Sequence, residues 1–134
     1  MKELSTLHLP EDVRYTKDHE WAKKTGEKVK IGIDDYAQDQ LGDIVFVELP
    51  KLGTSYKQGQ QCGTLESVKA VSEMNMPVGG EVTAVNPDLE AAPDLLNKDS
   101  YGKGWMFEVK TSDSADYDRL MDKKVYFEFL KGLK

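Results

Sequence analysis

One cysteine, Cys62, and two histidines, His8 and His19, are all the chain has of the residues that most often build reactive or metal-holding sites. A single cysteine closes no intrachain disulfide, which fits a reducing compartment. There is no CxxC pair and no spaced histidine cluster to hold zinc. Cys62 falls in a strand-like stretch, Gln60–Leu65, where a thiol is usually a small buried hydrophobe. A nucleophile would need an accessible, electropositive setting. No nucleophile elbow, phosphate loop or metal cluster accompanies it, so a cysteine hydrolase built on Cys62 and His19 is disfavoured. No apolar run approaches the ~20 residues that cross a bilayer. Met1 to Pro10 lacks the character of a signal or transit peptide, so the expected compartment is the cytoplasm. Basic charge is also short, with 18 Lys and Arg against 24 Asp and Glu and a net charge of −6. A phosphate backbone or an anionic membrane would repel such a chain, so neither is an expected partner. Internal repeats and low-complexity segments are absent.

What is present is a soluble composition over 134 residues, 39% hydrophobic and 31% charged. That length favours one domain over 1–134, able to bury roughly two-thirds of the surface its unfolded form exposes. Glycine and proline punctuate short strand-like runs. Glu20–Thr25 and Lys28–Ile33 flank Gly26-Glu27, a hairpin connection. Asp43–Leu49, Gln60–Val68, Val71–Pro77, Glu81–Val85 and Trp105–Lys110 are further strands. Short strands at this spacing predict a mainly β sandwich or barrel core over about 14–111. Asp34–Leu41 is a predicted helix that starts at aspartates and stops at Gly42. Pro93–Asn97 forms one turn. A C-terminal helical tail over about 113–131 is capped by Ser112 to Ser114, with Val125, Phe129 and Leu130 along one face.

Glu66 to Glu73 reads Glu-Ser-Val-Lys-Ala-Val-Ser-Glu, a palindrome apart from its centre. Folded as a two-residue hairpin, Lys69-Ala70 becomes the turn. Glu66 then faces Glu73, Ser67 faces Ser72 and Val68 faces Val71. Lys-Ala is a poor choice for such a turn, and opposed glutamates repel. Local rules broken without structural gain point to function. Two readings stand: a solvated turn lysine, or a lysine offered for modification with the compact Val68 and Ala70 leaving its amine accessible.

This octet is similar to the lipoylation site of glycine cleavage H proteins. Four further ordered blocks carry the resemblance. Tyr15-Thr16-Lys17-Asp18-His19-Glu20-Trp21 is one. Gly32 to Gln38 with Leu41 to Pro50 is another. Pro77 to Val82, and Asn97 through Gly102-Lys103-Gly104-Trp105, complete it, so that the likeness runs from about Arg14 to Lys131. The departures are Gly79, where the family often has serine, and the Met74-Asn75-Met76 exit. The latter has the outline of a biotin site, but Asn75 offers no amine, so biotin is disfavoured.

The resemblance implies a carrier rather than an enzyme, with the barrel-sandwich hybrid fold of lipoyl domains and short helices at its ends. Lys69 would bear lipoate in amide linkage. It would accept an aminomethyl group from a PLP-dependent glycine decarboxylase (P protein) and deliver it to a tetrahydrofolate-dependent aminomethyltransferase (T protein). Dihydrolipoyl dehydrogenase (L protein) would reoxidise it. Lipoylating enzymes would be partners too, with Glu66 read by them, and a monomer suits repeated presentation of one tip. The loaded arm is expected to fold into a water-excluding cleft, where Glu20 and Glu73 are the candidate carboxylates for a cationic amine. Each also has a plainer reading, Glu20 as a surface strand residue and Glu73 as part of the recognised octet. His19 is either a proton shuttle or a structural histidine paired with a carboxylate. Trp21 and Trp105 are packing residues. An alternative function, a lipoyl donor or relay for other enzymes, shares Lys69 and differs in lacking glycine-dependent loading.

Overall fold

In a computed structural model describing residues 3–133, the chain folds as two packed antiparallel sheets with short helices around them. After a short 3-10 turn at Leu4–Thr6, β1 (Arg14–Tyr15), β2 (Glu20–Thr25) and β3 (Lys28–Ile33) open the larger sheet. β2 and β3 pair from Glu20↔Ile33 to Thr25↔Lys28 across Gly26-Glu27. Gly26 takes a positive φ of 65°, as the predicted hairpin turn requires. The helix α1 (Asp35–Leu41) follows, with Asp34 as N-cap accepting from the Ala37 N–H at 2.8 Å and Gly42 as C-cap at φ 74°.

The strands β4 (Ile44–Glu48), β5 (Ser55–Tyr56), β6 (Gln61–Ser67), β7 (Val71–Asn75), β8 (Gly80–Val85) and β9 (Phe107–Thr111) complete the two sheets. The larger runs β1-β2-β3-β9-β8-β5 and the smaller β4-β6-β7. Alternate residues of both point inward, as strand pleating demands. Val29, Ile31, Val82, Phe107 and Val109 from one sheet and Ile44, Leu65 and Met74 from the other share one buried cluster. This is a sandwich, as expected.

Between β8 and β9 lie two single-turn helices, α2 (Asp88–Ala91) and α3 (Leu95–Lys98), which bury Leu89 and Leu96. The tail is α4 (Ser114–Asp118), capped by Asp113, and α5 (Lys123–Gly132), capped by Asp122. α5 closes a second cluster in which Tyr126 and Leu130 pack with Leu9, Val13, Tyr15 and Trp21. The rings of Tyr15 and Tyr126 stack at 4.6 Å.

Two expectations change. Val125 is not on the buried face of the tail: it is exposed, and Tyr126 with Leu130 makes the contact instead. Leu130 is buried as expected and Phe129 packs half-buried against the same cluster. β1, β5 and α2 were not expected, because two to four residues are too few to display a period. Gly79 stands where a side chain would crowd Gln58, Ser112 and Asp116, and its N–H donates to a buried Asp116 oxygen at 2.9 Å. Among the described residues, no helix is long and apolar enough to cross a membrane.

Candidate functional site

The palindrome does not pair as its symmetry suggests. β6 and β7 align Glu66 with Val71, Leu65 with Ser72 and Thr64 with Glu73. The turn is therefore Val68-Lys69, one residue earlier than predicted, and Glu66 and Glu73 do not face each other. Ser67 explains the shift. Its N–H donates to the Ala70 carbonyl at 2.8 Å, and its Oγ accepts from the Lys69 and Ala70 N–H groups, each at 3.1 Å. A side-chain acceptor thus supplies what a positive-φ pair would otherwise provide, so neither turn residue needs the left-handed region.

Lys69 stands exposed at this tip, with Val68 and Ala70 exposed beside it. Its stem passes over Gly42, where a Cβ would lie 3.4 Å from Lys69 Cε. The floor beneath it is held in place. The Val68 N–H donates to the Asp43 carbonyl at 3.0 Å. Asn97 accepts from the Ile44 N–H at 2.9 Å and donates to the Gly42 carbonyl at 2.8 Å. Glu66 is exposed on β6, between Val71 and the Phe46 of β4.

The carboxylates divide sharply. Glu73 is exposed on β7. Glu20 is almost completely buried, at 2% exposure, contrary to its reading as a surface strand residue. Its Oε1 accepts from the Thr16 hydroxyl at 2.9 Å and its Oε2 from the Asn75 N–H at 2.9 Å. Glu20 thus sits at the far end of the strand whose near end starts at the lysine tip. Asn75 also reaches Asp18 through its side chain at 3.4 Å. Burial pushes the Glu20 carboxyl up to about 8, against the two hydrogen bonds that favour its charged form. A cleft of about 290 Å³ opens here, with Thr16, Asp18, Glu20, Met76, Arg119 and Met121 among its walls. The structure places Glu20 and Asn75 together; it does not bring Glu73 into hydrogen-bond contact with them.

Behind Glu20 lies a polar cluster that was not anticipated. Tyr126 donates its hydroxyl to Asp34, and the same hydroxyl meets His19 Nδ1 at 2.7 Å. His19 is held at a φ of 69°, and burial lowers its pKa. Its hydrogen-bond partner is therefore a tyrosine hydroxyl rather than the expected carboxylate. Asp34, fully buried, is raised to about 7 by desolvation. In the sequence Asp34 reads only as an N-cap and His19 as a histidine between two carboxylates, and nothing near either one points to Tyr126, more than 90 positions away.

Cys62 is buried, its Sγ directed to the Met74 carbonyl at 3.4 Å, and burial pushes its thiol up to about 12. It stays protonated and is no nucleophile. Trp21 is buried, its Nε1 donating to the Ser100 carbonyl at 2.9 Å, and Trp105 packs under Lys30. Among the described residues, no group of three or more histidine, cysteine, aspartate or glutamate residues could hold a metal ion.

A family model described as glycine cleavage H-protein matches residues 13–133. The chain belongs to the glycine cleavage H-protein family. A glycine cleavage system H protein of Beijerinckia indica is 52% identical over 120 residues, covering 90% of this chain and 97% of the relative. One from Thermus thermophilus is 47% identical over 126 residues, covering 94% and 98%. The crystal structure of the Mycobacterium marinum H protein superposes with a TM-score of 0.83 at 33% identity, covering 92% of this chain and 99% of that one. As an H protein the chain is a lipoyl-carrying shuttle component of glycine cleavage, a carrier and not a catalyst. An exposed amine on a pinned turn, above a glycine that leaves room for its stem, fits a group joined through that amine.

Proposed function

We propose that Lys69 is the residue to which lipoate is joined, through an amide at Nζ, and that the cleft at Glu20 receives the far end of the loaded arm. The observation that carries the first part is Ser67: its Oγ accepts from both N–H groups behind the turn and holds Lys69 at an exposed tip. When bound, the lipoyl group supplies a dithiol–disulfide pair able to take up and release an aminomethyl group and to exchange two electrons. The chain supplies the rest. Tethering raises the local concentration of the cargo at each partner enzyme into the millimolar range.

β7 supports the second part. Its five residues run from beside the tip to Asn75, four steps that span roughly 14 Å at strand rise. A lysine side chain extended by an eight-carbon acyl chain reaches a similar distance. At the end of that path Glu20 is buried, hydrogen-bonded and raised to about 8, so near pH 7 it is mostly protonated. A cationic amine entering beside it favours the carboxylate form, and its proton leaves to solvent. Glu73, exposed on the same strand face as Asn75, is the carboxylate met along the way. Met76, Pro77, Leu120 and Met121 give the cleft an apolar side against which the arm would shield its cargo from water.

The partners on this reading are the glycine decarboxylase, the aminomethyltransferase, dihydrolipoyl dehydrogenase and a lipoylating enzyme that reads Glu66. The chain acts as a monomer in the cytoplasm, as one carrier unit over 1–134 whose tail helices brace its core. Intact-mass spectrometry after incubation with lipoate, ATP and a lipoylating enzyme tests the attachment. A lipoyl-sized addition on the Lys69 peptide, absent in Lys69→Arg, is expected. No addition under conditions that modify a control lipoyl domain overturns it. For the cleft, Glu20→Gln should shorten the lifetime of the loaded form, and an unchanged lifetime removes Glu20 from that role.

A further inference from the structure

Four large apolar side chains crowd the lysine tip without entering the core. Val45, Phe46, Val68 and Val71 are exposed by 51%, 55%, 68% and 67%. Phe46, Glu66 and Val71 form one row across the outer face of the smaller sheet, since Phe46 pairs with Glu66 and Glu66 with Val71. A bulge in β4 accounts for Val45. The register slips between Ile44 and Phe46, so two residues of β4 oppose one step of β6 and both Val45 and Phe46 turn outward. A regular strand would have sent one of them inward. Bulges that re-aim side chains cluster at working sites, and exposed apolar patches mark surfaces that something covers.

We infer that this face is the docking surface for the enzyme that attaches the acyl group to Lys69, and that this enzyme meets it with apolar side chains set among basic ones. This deepens the proposed attachment at Lys69 and rests on it. Distance selects this partner. An enzyme that makes the amide must bring its reacting carbon to Nζ, and so must cover whatever lies within one lysine length of the turn. Val68 adjoins the lysine, and the Phe46–Val71 row spans about 10 Å of sheet at ordinary strand spacing. Enzymes that act on the loaded arm work an acyl chain further out and need not touch this face. Charge selects the basic groups. Asp43, whose carbonyl anchors the turn, and Glu66, in the middle of the row, are both exposed, on a chain of net charge −6. Complementary basic groups would speed encounter and fix orientation, while the apolar contacts hold the complex.

The test is the rate of lipoyl attachment to full-length Phe46→Ser by a lipoylating enzyme with lipoate and ATP, followed by intact mass, with melting and circular dichroism as folding controls. Val125→Ser, which removes an equally exposed apolar residue from the distant tail helix, serves as comparison. Phe46→Ser should lower kcat/KM at least tenfold, mainly through KM, with Val125→Ser unchanged and wild-type attachment slowed by added salt. Normal modification of Phe46→Ser while wild type is also modified on Lys69 overturns the docking surface and leaves the attachment site standing. Failure of wild type itself to be modified overturns the attachment site instead. Unchanged attachment with slower loading by the decarboxylase would assign the face to that enzyme and overturn the inference. So would a wild-type dimer in sedimentation that Phe46→Ser breaks.

Discussion

The tip at Lys69 and the cleft at Glu20 lie at opposite ends of one strand, and they are built in opposite ways. At the tip, the hydrogen bonds that close the turn come from Ser67, within three residues of its partners. Its side chains are exposed and its floor is glycine. At the cleft, Glu20 takes a bond from Asn75, 55 positions away, and Tyr126 reaches Asp34 across 92. Glu20 and Asp34 there are buried, and burial raises both carboxyls above their ordinary pKa. A modifying enzyme needs an accessible amine on a fixed turn, which local bonding provides. A site that shelters a charged cargo must exclude water, and only distant elements packed together can do that.

Breaking the tip and breaking the cleft should therefore have separable consequences. The largest effect expected is at the tip: Lys69→Arg should abolish the mass addition entirely while leaving the melting temperature of the apo chain unchanged. A change in melting would show that the lysine is structural after all. Next is Gly32→Ala, behind the cleft. A Cβ there would lie 2.7 Å from Trp21 Nε1, forcing a buried indole aside. Overpacking of this kind costs roughly 1–3 kcal/mol, read by urea titration, with attachment to Lys69 preserved.

The pH dependence sharpens the comparison. Asp34 and Glu20 have folded pKa values raised to about 7 and about 8 from ordinary carboxyl values of 3.8 and 4.5. The stability they contribute is fully present below the lower values and is lost as the pH rises through the upper ones. Between roughly pH 4.5 and 7 the folded chain holds protons that the unfolded chain has released, so stability falls with rising pH by up to about 1.4 kcal/mol per unit for each group. Asp34→Asn keeps a good N-cap and removes one titrating group, so its stability–pH profile should be flatter in that window. His19, lowered by burial, acts in the opposite sense below its ordinary value and is common to both chains. A profile identical to wild type would mean that Asp34 ionises normally. The smallest effect is Ser67→Ala, which should cost about 1 kcal/mol by thermal melting. It should also slow attachment, because the turn loses its acceptor.

Much of this was legible in the chain, and for identifiable reasons. The β2–β3 hairpin was placed by Gly26 with strand-forming residues on both sides, and α1 by Asp34 and Gly42, all of them signals a few residues long. Lys69 stood out because its surroundings serve turn stability poorly. The register around it was misread because the palindrome suggests a symmetric pairing, whereas the chain follows the Ser67 hydroxyl. Val125 was misassigned because a helix's buried face depends on where the helix starts and what it packs against. Glu20 gave no sign of being buried, since it shares a strand face with Ala22, and that end of the strand is covered only once Asn75 of the other sheet packs against it.

Alone, the sequence determined the sandwich, the capped helices, the lysine and the family likeness, because backbone preferences and nearest-neighbour bonds act over a few residues. Tertiary structure decided which carboxyls are buried, where Tyr126 and Asn75 reach, and which side chains the β4 bulge turns outward. Those outcomes depend on contacts between residues tens of positions apart, and the energies that set them, desolvation and close packing, exist only once the chain has folded.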